Sequence, residues 1–239
     1  MKIKTAILFY GHMRTFDRCF KSVKNNIIIP LNADVFVHTW DEIEAKTKTW
    51  HNRSMSVRPI SEKERLLIGN MFHPTDMLIE HQSVTDDNRT TPNNKISVSG
   101  QKFMLHSLKQ ACLLKQKHEQ SEGFQYDVVI KIRPDVRVLS PLTFDIPISE
   151  NDVFVVGRKH SKPSEVRSDS ACDIINVATS SAMDRICCVV DHFDQFYIDN
   201  VNAGKLWHSG YIDFIRSLGL NIRMMSDCDW GKNWAIVRK

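Results

Sequence analysis

The chain lacks most of the signatures by which a sequence reveals its chemistry. Neither GxGxxG nor GxxxxGK[ST] occurs, which excludes the usual dinucleotide cradle and the P-loop. There is no GxSxG elbow, so an α/β-hydrolase nucleophile is not indicated. The six cysteines, Cys19, Cys112, Cys172, Cys187, Cys188 and Cys228, form no CxxC pair. Reduced, mostly buried thiols are expected rather than a zinc site or a disulfide framework. No stretch approaches about 18 consecutive apolar residues, and the N-terminus has no long apolar region with a small-residue cleavage site. A cytoplasmic protein is expected, so the acceptor patterns Asn52-Arg-Ser54 and Asn88-Arg-Thr90 have no route to glycosylation. Nor does either charge greatly outnumber the other. A net charge of +4 is not the footprint of a nucleic-acid-binding protein, although clustered Arg and Lys would suit a phosphorylated ligand or an anionic membrane surface.

What the chain has is length for one substantial core and the pattern of an α/β fold. Its 239 residues, 42% hydrophobic and 25% charged, suit a single domain spanning 1–239. Residues 3–10 read as a strand, Gly11 to Arg14 as a tight turn, and Thr15 to Asn26 as a helix with Phe16, Phe20 and Val23 at helical spacing. Ala33 to His38 reads as a second strand, parallel to the first across the helical crossover. A helix over 61–71 opens with Ser61 and Glu64 as a capping box, and a short strand follows at 76–80. The polar segment 84–100 reads as a loop, and Gln101 to Gln120 as a helix with an apolar stripe. Strands are predicted near 152–157, 173–177 and 221–225, a basic loop at 158–170, and helices over 180–197 and 203–217. No repeat or low-complexity tract interrupts this order.

The most informative stretch is Tyr126 to Leu142. Val128, Val129, Ile130 and Ile132 make a near-continuous apolar run, as in a strand covered on both faces, and Pro134 ends it. Arg133, Asp135 and Arg137 therefore sit where open α/β sheets place ligands, beyond the carboxyl ends of the strands. An Asp between two Arg can orient a phosphorylated group or hold a cation against one; a structural ion-pair cluster is the alternative. Gly11 permits close backbone approach at the first strand-to-helix turn, and Arg14 can pair with phosphate. His38 and Trp40 leave the second strand at the same edge. Trp40 is read either as a stacking surface for a base or sugar or as a packed indole, and His38 as a site residue or a core histidine.

Three segments together carry a resemblance: Gly-His-Met-Arg-Thr-Phe (11–16), Ala-Asp-Val-Phe-Val-His-Thr-Trp (33–40) and Tyr-Asp-Val-Val-Ile-Lys-Ile-Arg-Pro-Asp (126–135). In this order they resemble bacterial glycosyltransferases of capsule and lipopolysaccharide O-antigen loci, and Cys-Asp-Ile-Ile-Asn (172–176) adds to the likeness. The resemblance implies a GT-A-like, mostly parallel mixed sheet of Rossmann type flanked by helices, binding a nucleotide-sugar donor. It also implies a glycan or lipid-linked glycan acceptor, with peripheral membrane association at the inner face. The donor set on this chain would be Gly11, Arg14, His38, Trp40, Gln101 and Arg133.

In that group a D-x-D sequence holds a divalent metal on the diphosphate, but here Arg133-Pro-Asp135 stands in its place. Either Mn or Mg held by Asp135 with a second ligand such as His208, or a set of arginines, would supply the positive charge the leaving group needs. For inverting transfer a carboxylate must accept the acceptor hydroxyl proton. Asp173 is the first candidate and Asp41 and Asp169 the next, with Asp135 the other catalytic candidate. The rival reading is a non-catalytic nucleotide- or glycan-binding module on the same fold.

Overall fold

A computed structural model describes residues 3–44, 57–83, 89–90, 97–157, 171–198, 200, 207–226 and 229–237. The strands are β1 (Thr5–Tyr10), β2 (Asp34–Trp40), β3 (Asp76–Glu80), β4 (Val128–Ile132), β5 (Val136–Val138), β6 (Asp152–Gly157), β7 (Ala171–Ala178), β8 (Asn221–Met224) and β9 (Trp234–Ile236). The helices are α1 (Phe16–Val23), α2 (Ile29–Leu31), α3 (Glu62–Phe72), α4 (Val98–Glu122), α5 (Ser180–Cys187) and α6 (Trp207–Ser217). A seven-stranded sheet of order β3-β2-β1-β4-β7-β6-β8 forms the centre, and β5 pairs with β9 in a separate ribbon. The first four strands are mutually parallel. β7 then runs antiparallel to both β4 and β6, and β8 is again parallel to β6. The fold is thus α/β, with a mostly parallel mixed sheet of Rossmann-like type.

Alternation along β1 explains why the sheet is buried on both faces. Ile7 and Phe9 join one core with Phe16 and Phe20 of α1, Ile68 and Phe72 of α3 and Trp234 of β9. Ala6, Leu8 and Tyr10 point the other way, against Leu105 and Leu108 of α4, Met183 of α5 and Tyr211 of α6. Period-two alternation between two apolar layers needs apolar residues at every position, which is why β1 and β4 read as continuous runs. Phe72 anchors the first layer, with its ring centroid 4.6 Å from both Phe9 and Phe20.

Local signals set the helix limits. Ser61 and Glu64 do form the expected capping box. α4 starts at Val98, before the predicted Gln101, because the Ser97 hydroxyl accepts from the Gly100 amide, and it ends at Gly123 in the left-handed conformation. The helix predicted over 180–197 is broken: α5 stops at Cys187, then tightens to 3-10 geometry over Cys188–His192 and widens to a π turn over Asp194–Ile198. The β-branched Val189 and Val190 disfavour regular helix there. Residues 203–206 of the helix predicted over 203–217 lie outside the described residues, as does most of the predicted loops 84–100 and 158–170. Cys19, Cys112 and Cys187 are buried free thiols and Cys188 a half-buried one. Among the described residues no helix is long and apolar enough to cross a membrane.

At the amino edge of the sheet a polar cluster closes the second layer. Lys115 is fully buried and donates to Glu119 at 2.6 Å and to the Ser180 hydroxyl, and it pairs with Asp184 at 2.9 Å. Glu119 also accepts from Ser180 and from the Tyr126 amide. Burial works against the lysine's charge, but Asp184 and Glu119 outweigh it and raise the pKa. Lys115→Ala strands these carboxylates beside α5 and is expected to lower unfolding free energy by about 3 kcal/mol. The check is a fall in the denaturant midpoint at unchanged slope. A loss below about 1 kcal/mol, the range of exposed pairs, would show that the cluster is solvated.

Candidate functional site

Strand order reverses between β1 and β4: the chain builds outward through β2 and β3, then returns through α4 to the other side of β1. In open α/β sheets such a switch point opens a crevice beyond the strand ends. Here the turn after β1 (Gly11 to Arg14) meets the turn after β4 (Arg133 to Asp135). Gly11 has φ +97°, a conformation that L side chains rarely adopt.

Asp135 lies at the centre and is 1% exposed. Its Oδ1 accepts from Arg133 Nε at 3.0 Å and its Oδ2 from Arg133 Nη2 at 2.6 Å. Arg14 Nη1 reaches the same Oδ2 at 3.1 Å, while Arg14 Nε donates to Glu44 at 2.7 Å. Each guanidinium therefore spends only part of its donor set on Asp135. Burial disfavours the charge on Arg133, but Asp135 overcomes that and raises its pKa. Arg14 itself has φ 45°, an uncommon left-handed backbone for a non-glycine residue.

The remaining candidates come to this edge with differing roles. Asp173 is the third residue of β7 and is buried; its carbonyl accepts from the Tyr10 hydroxyl at 3.0 Å and from Lys131 Nζ. Since β7 is antiparallel to β4, the start of β7 lies beside the end of β4. His38 is fully buried with both ring nitrogens engaged: Nδ1 lies 2.7 Å from Ser107 Oγ and Nε2 2.9 Å from Glu80 Oε2. Ser107 Oγ also accepts from the Gly11 amide at 2.7 Å. His38 thus offers no free nitrogen to a ligand and instead braces the Gly11 turn through Ser107.

Trp40 is 2% exposed, packed among His38, Phe103 and His106. No face is left for a stacked base, so the stacking expectation gives way to the packed one. Its indole N–H, however, is buried without a hydrogen-bond partner, as are Nε2 of Gln82 and Oε1 of Gln101 in the first turn of α4. An unmade bond at such a group costs about 1–3 kcal/mol. His208 falls in the first turn of α6, one turn before Tyr211, and its side chain lies outside the described residues, as does Asp169. Asp41 pairs with His81 at 2.7 Å.

The sequence reading passed over His12, Gln82 and Lys131. His12 Nε2 lies 3.1 Å from Gln82 Oε1, and burial first, then the charge of Arg14, lowers its pKa to about 3. Lys131 is 1% exposed, its ammonium 5.2 Å from the Tyr10 ring centroid and 4.8 Å from that of Tyr211. A lysine inside an apolar strand was the available signal.

A divalent metal does not fit the donor set at Asp135, whose carboxylate oxygens already take guanidinium N–H groups. Among the described residues no group of three or more His, Cys, Asp or Glu is arranged to hold an ion. The arrangement suits an anion held by arginines whose direction a carboxylate fixes. No protein-family model matches the chain, and no curated protein matches it.

Two outcomes are expected. Asp135→Asn leaves two partly buried cations with a neutral partner, so stability should fall by about 3 kcal/mol, read from chemical denaturation; a melting temperature equal to wild type would contradict a clamp centred on a buried carboxylate. The second concerns pH. Burial, opposed by Glu80, lowers His38 to about 4, and His12 lies at about 3, both below the ordinary 6.5 of an unfolded chain. Each histidine's contribution is therefore complete above that value and lost as pH falls toward the folded values. Between about pH 6.5 and about pH 5 the loss is expected to reach about 1.5 kcal/mol per histidine. His12→Gln should roughly halve the slope of unfolding free energy against pH; an unchanged slope would mean that His12 is not buried neutral.

Proposed function

We propose that the chain is a nucleotide-sugar-dependent glycosyltransferase on a GT-A-like sheet, acting on a surface-polysaccharide or lipid-linked glycan acceptor. The observation that carries this reading is the Arg14–Asp135–Arg133 clamp at the switch point between β1 and β4. Leaving of a nucleoside diphosphate builds negative charge on a bridging oxygen, and preorganised guanidinium N–H groups at the strand ends meet that charge. Asp135 acts by holding both arginines, so no step runs through a metal.

In the proposed inverting displacement the acceptor oxygen forms its bond to the anomeric carbon as the bond to the diphosphate oxygen breaks. Asp173 takes the hydroxyl proton, and its carbonyl bonds to Tyr10 and Lys131 fix where it stands. Gly11 brings the backbone close to the donor, and Arg14 and Arg133 take the diphosphate. A second reading, a binding module without transfer, is favoured by the same clamp, because both carboxylate oxygens of Asp135 already accept from arginines.

Thermal shift and turnover on one set of variants separate the two. A nucleoside diphosphate at about 100 times its Kd should add about 2.7 kcal/mol of stability, with manganese adding nothing further. Asp173→Asn should keep that ligand-induced shift while transfer falls by about 100-fold or more. Binding with no transfer or donor hydrolysis in the wild type would establish the module. A manganese requirement for binding would overturn the arginine-only account.

A further inference from the structure

A chain of short hydrogen bonds runs from the rim of the sheet to the turn after β1. Glu80 closes β3 with its side chain 38% exposed, and its Oε2 lies 2.9 Å from His38 Nε2 and 3.2 Å from His106 Nε2. His38 and Ser107 are both fully buried, with Nδ1 2.7 Å from Ser107 Oγ. The Gly11 amide, the first beyond β1, donates to that hydroxyl oxygen at 2.7 Å. Burial, opposed by Glu80, holds the pKa of His38 down at about 4, so the ring is neutral near pH 7. A carboxylate only accepts, so the ring proton sits on Nε2 and Nδ1 is left as the acceptor. Ser107 has one proton for two acceptors, and with Nδ1 bare it goes there rather than to the His38 carbonyl at 3.2 Å. Every donor from Gly11 to His38 then points the same way, toward one negative charge.

Hydrogen bonds aligned head to tail polarise and strengthen one another, and here the charge at the end fixes their direction. Resting on the nucleotide-sugar reading above, we infer that Glu80 is a positioning residue for the crevice, ordering the turn from Gly11 to Arg14 through His38 and Ser107. The need for such a device is local. Gly11 has φ +97° and no side chain of its own to hold the turn, and glycine has the widest backbone freedom of any residue. Three residues on, Arg14 has to present donors to the diphosphate while it grips Asp135. A turn ordered before binding spares that ordering cost when the anion arrives. Without the charge of Glu80, the His38 proton is free to sit on Nδ1. Ser107 then becomes a double acceptor whose hydroxyl turns to the His38 carbonyl, and the Gly11 amide has to share the oxygen with the imidazole N–H. His106, stacked on Trp40, is the second donor that keeps the carboxylate in place.

Nitrogen NMR of the His38 ring in the full wild-type chain is expected to show the proton on Nε2; a proton on Nδ1 overturns the proposal without any variant. Hydrogen exchange then reads the turn. In Ser107→Ala the Gly11 amide should exchange at least about ten-fold faster, the scale of one lost hydrogen bond, while the amides of β1 and β4 stay protected. Glu80→Gln, which keeps the size and removes the charge, should speed the same amide by at least about two-fold. In calorimetric titration with UDP, GDP, ADP and inorganic pyrophosphate, the tightest binder should weaken by about ten-fold in Ser107→Ala and by a smaller factor in Glu80→Gln. A merely structural role would lower the melting temperature and leave Gly11 exchange and ligand affinity of the folded protein at wild-type values. That result in Glu80→Gln would overturn the positioning role. If none of the four ligands binds the wild type, the nucleotide reading fails, and the ring-proton and exchange results still decide whether Glu80 orders the turn.

Discussion

Everything at the carboxyl edge depends on one buried carboxylate. At 1% exposure, Asp135 accepts charge-assisted bonds from Arg133 and Arg14, which come from two different turns. That joins the exit of β4 to the exit of β1 across 121 residues of sequence. It also accounts for the backbone of Arg14, since a left-handed non-glycine residue persists only where its surroundings over-determine it. The Arg14 amide donates to Ile43, its side chain to Glu44 and Asp135. The Asp135 carbonyl accepts from Val237, which brings the end of the β9 ribbon under the same point.

The sheet was legible in the sequence to the extent that its residues obey a local rule. β1, β2 and β4 follow from apolar runs flanked by turns, and α1 from its Phe16, Phe20 and Val23 spacing. The β5–β9 ribbon was not legible. It consists of two three-residue strands nearly a hundred positions apart, and three residues carry too little periodicity to distinguish strand from loop. The π turn over Lys24–Ile28 was also hidden, although Pro30 beyond it lacks the N–H that would extend a regular helix.

The candidate site divides in the same way. Arg133 and Asp135 were readable because they follow a recognisable strand, and Arg14 and Asp173 because the fold class brings strand ends together. What each does was not readable, since partnership is a long-range matter. His38 looks like a site residue from its position, yet Ser107 and Glu80, 69 and 42 residues away, occupy both of its nitrogens. Gln82 has no local pattern at all; its importance comes from the neighbouring His12 and Trp40.

The two edges of the sheet differ in how completely their buried polar groups are matched. At the amino edge Lys115, Glu119, Ser180 and Asp184 form a network within the chain. At the carboxyl edge Trp40, Gln82 and Gln101 each keep a buried donor or acceptor with no partner, at a cost that folding alone would not select. A chain able to satisfy a buried lysine at one edge has the means to satisfy an indole N–H at the other. The unmatched atoms cluster instead at the edge where the topology opens a crevice and two arginines hold spare donors. A molecule bound there would restore that stability, and its binding would then be coupled to the packing of β2, β3 and α4.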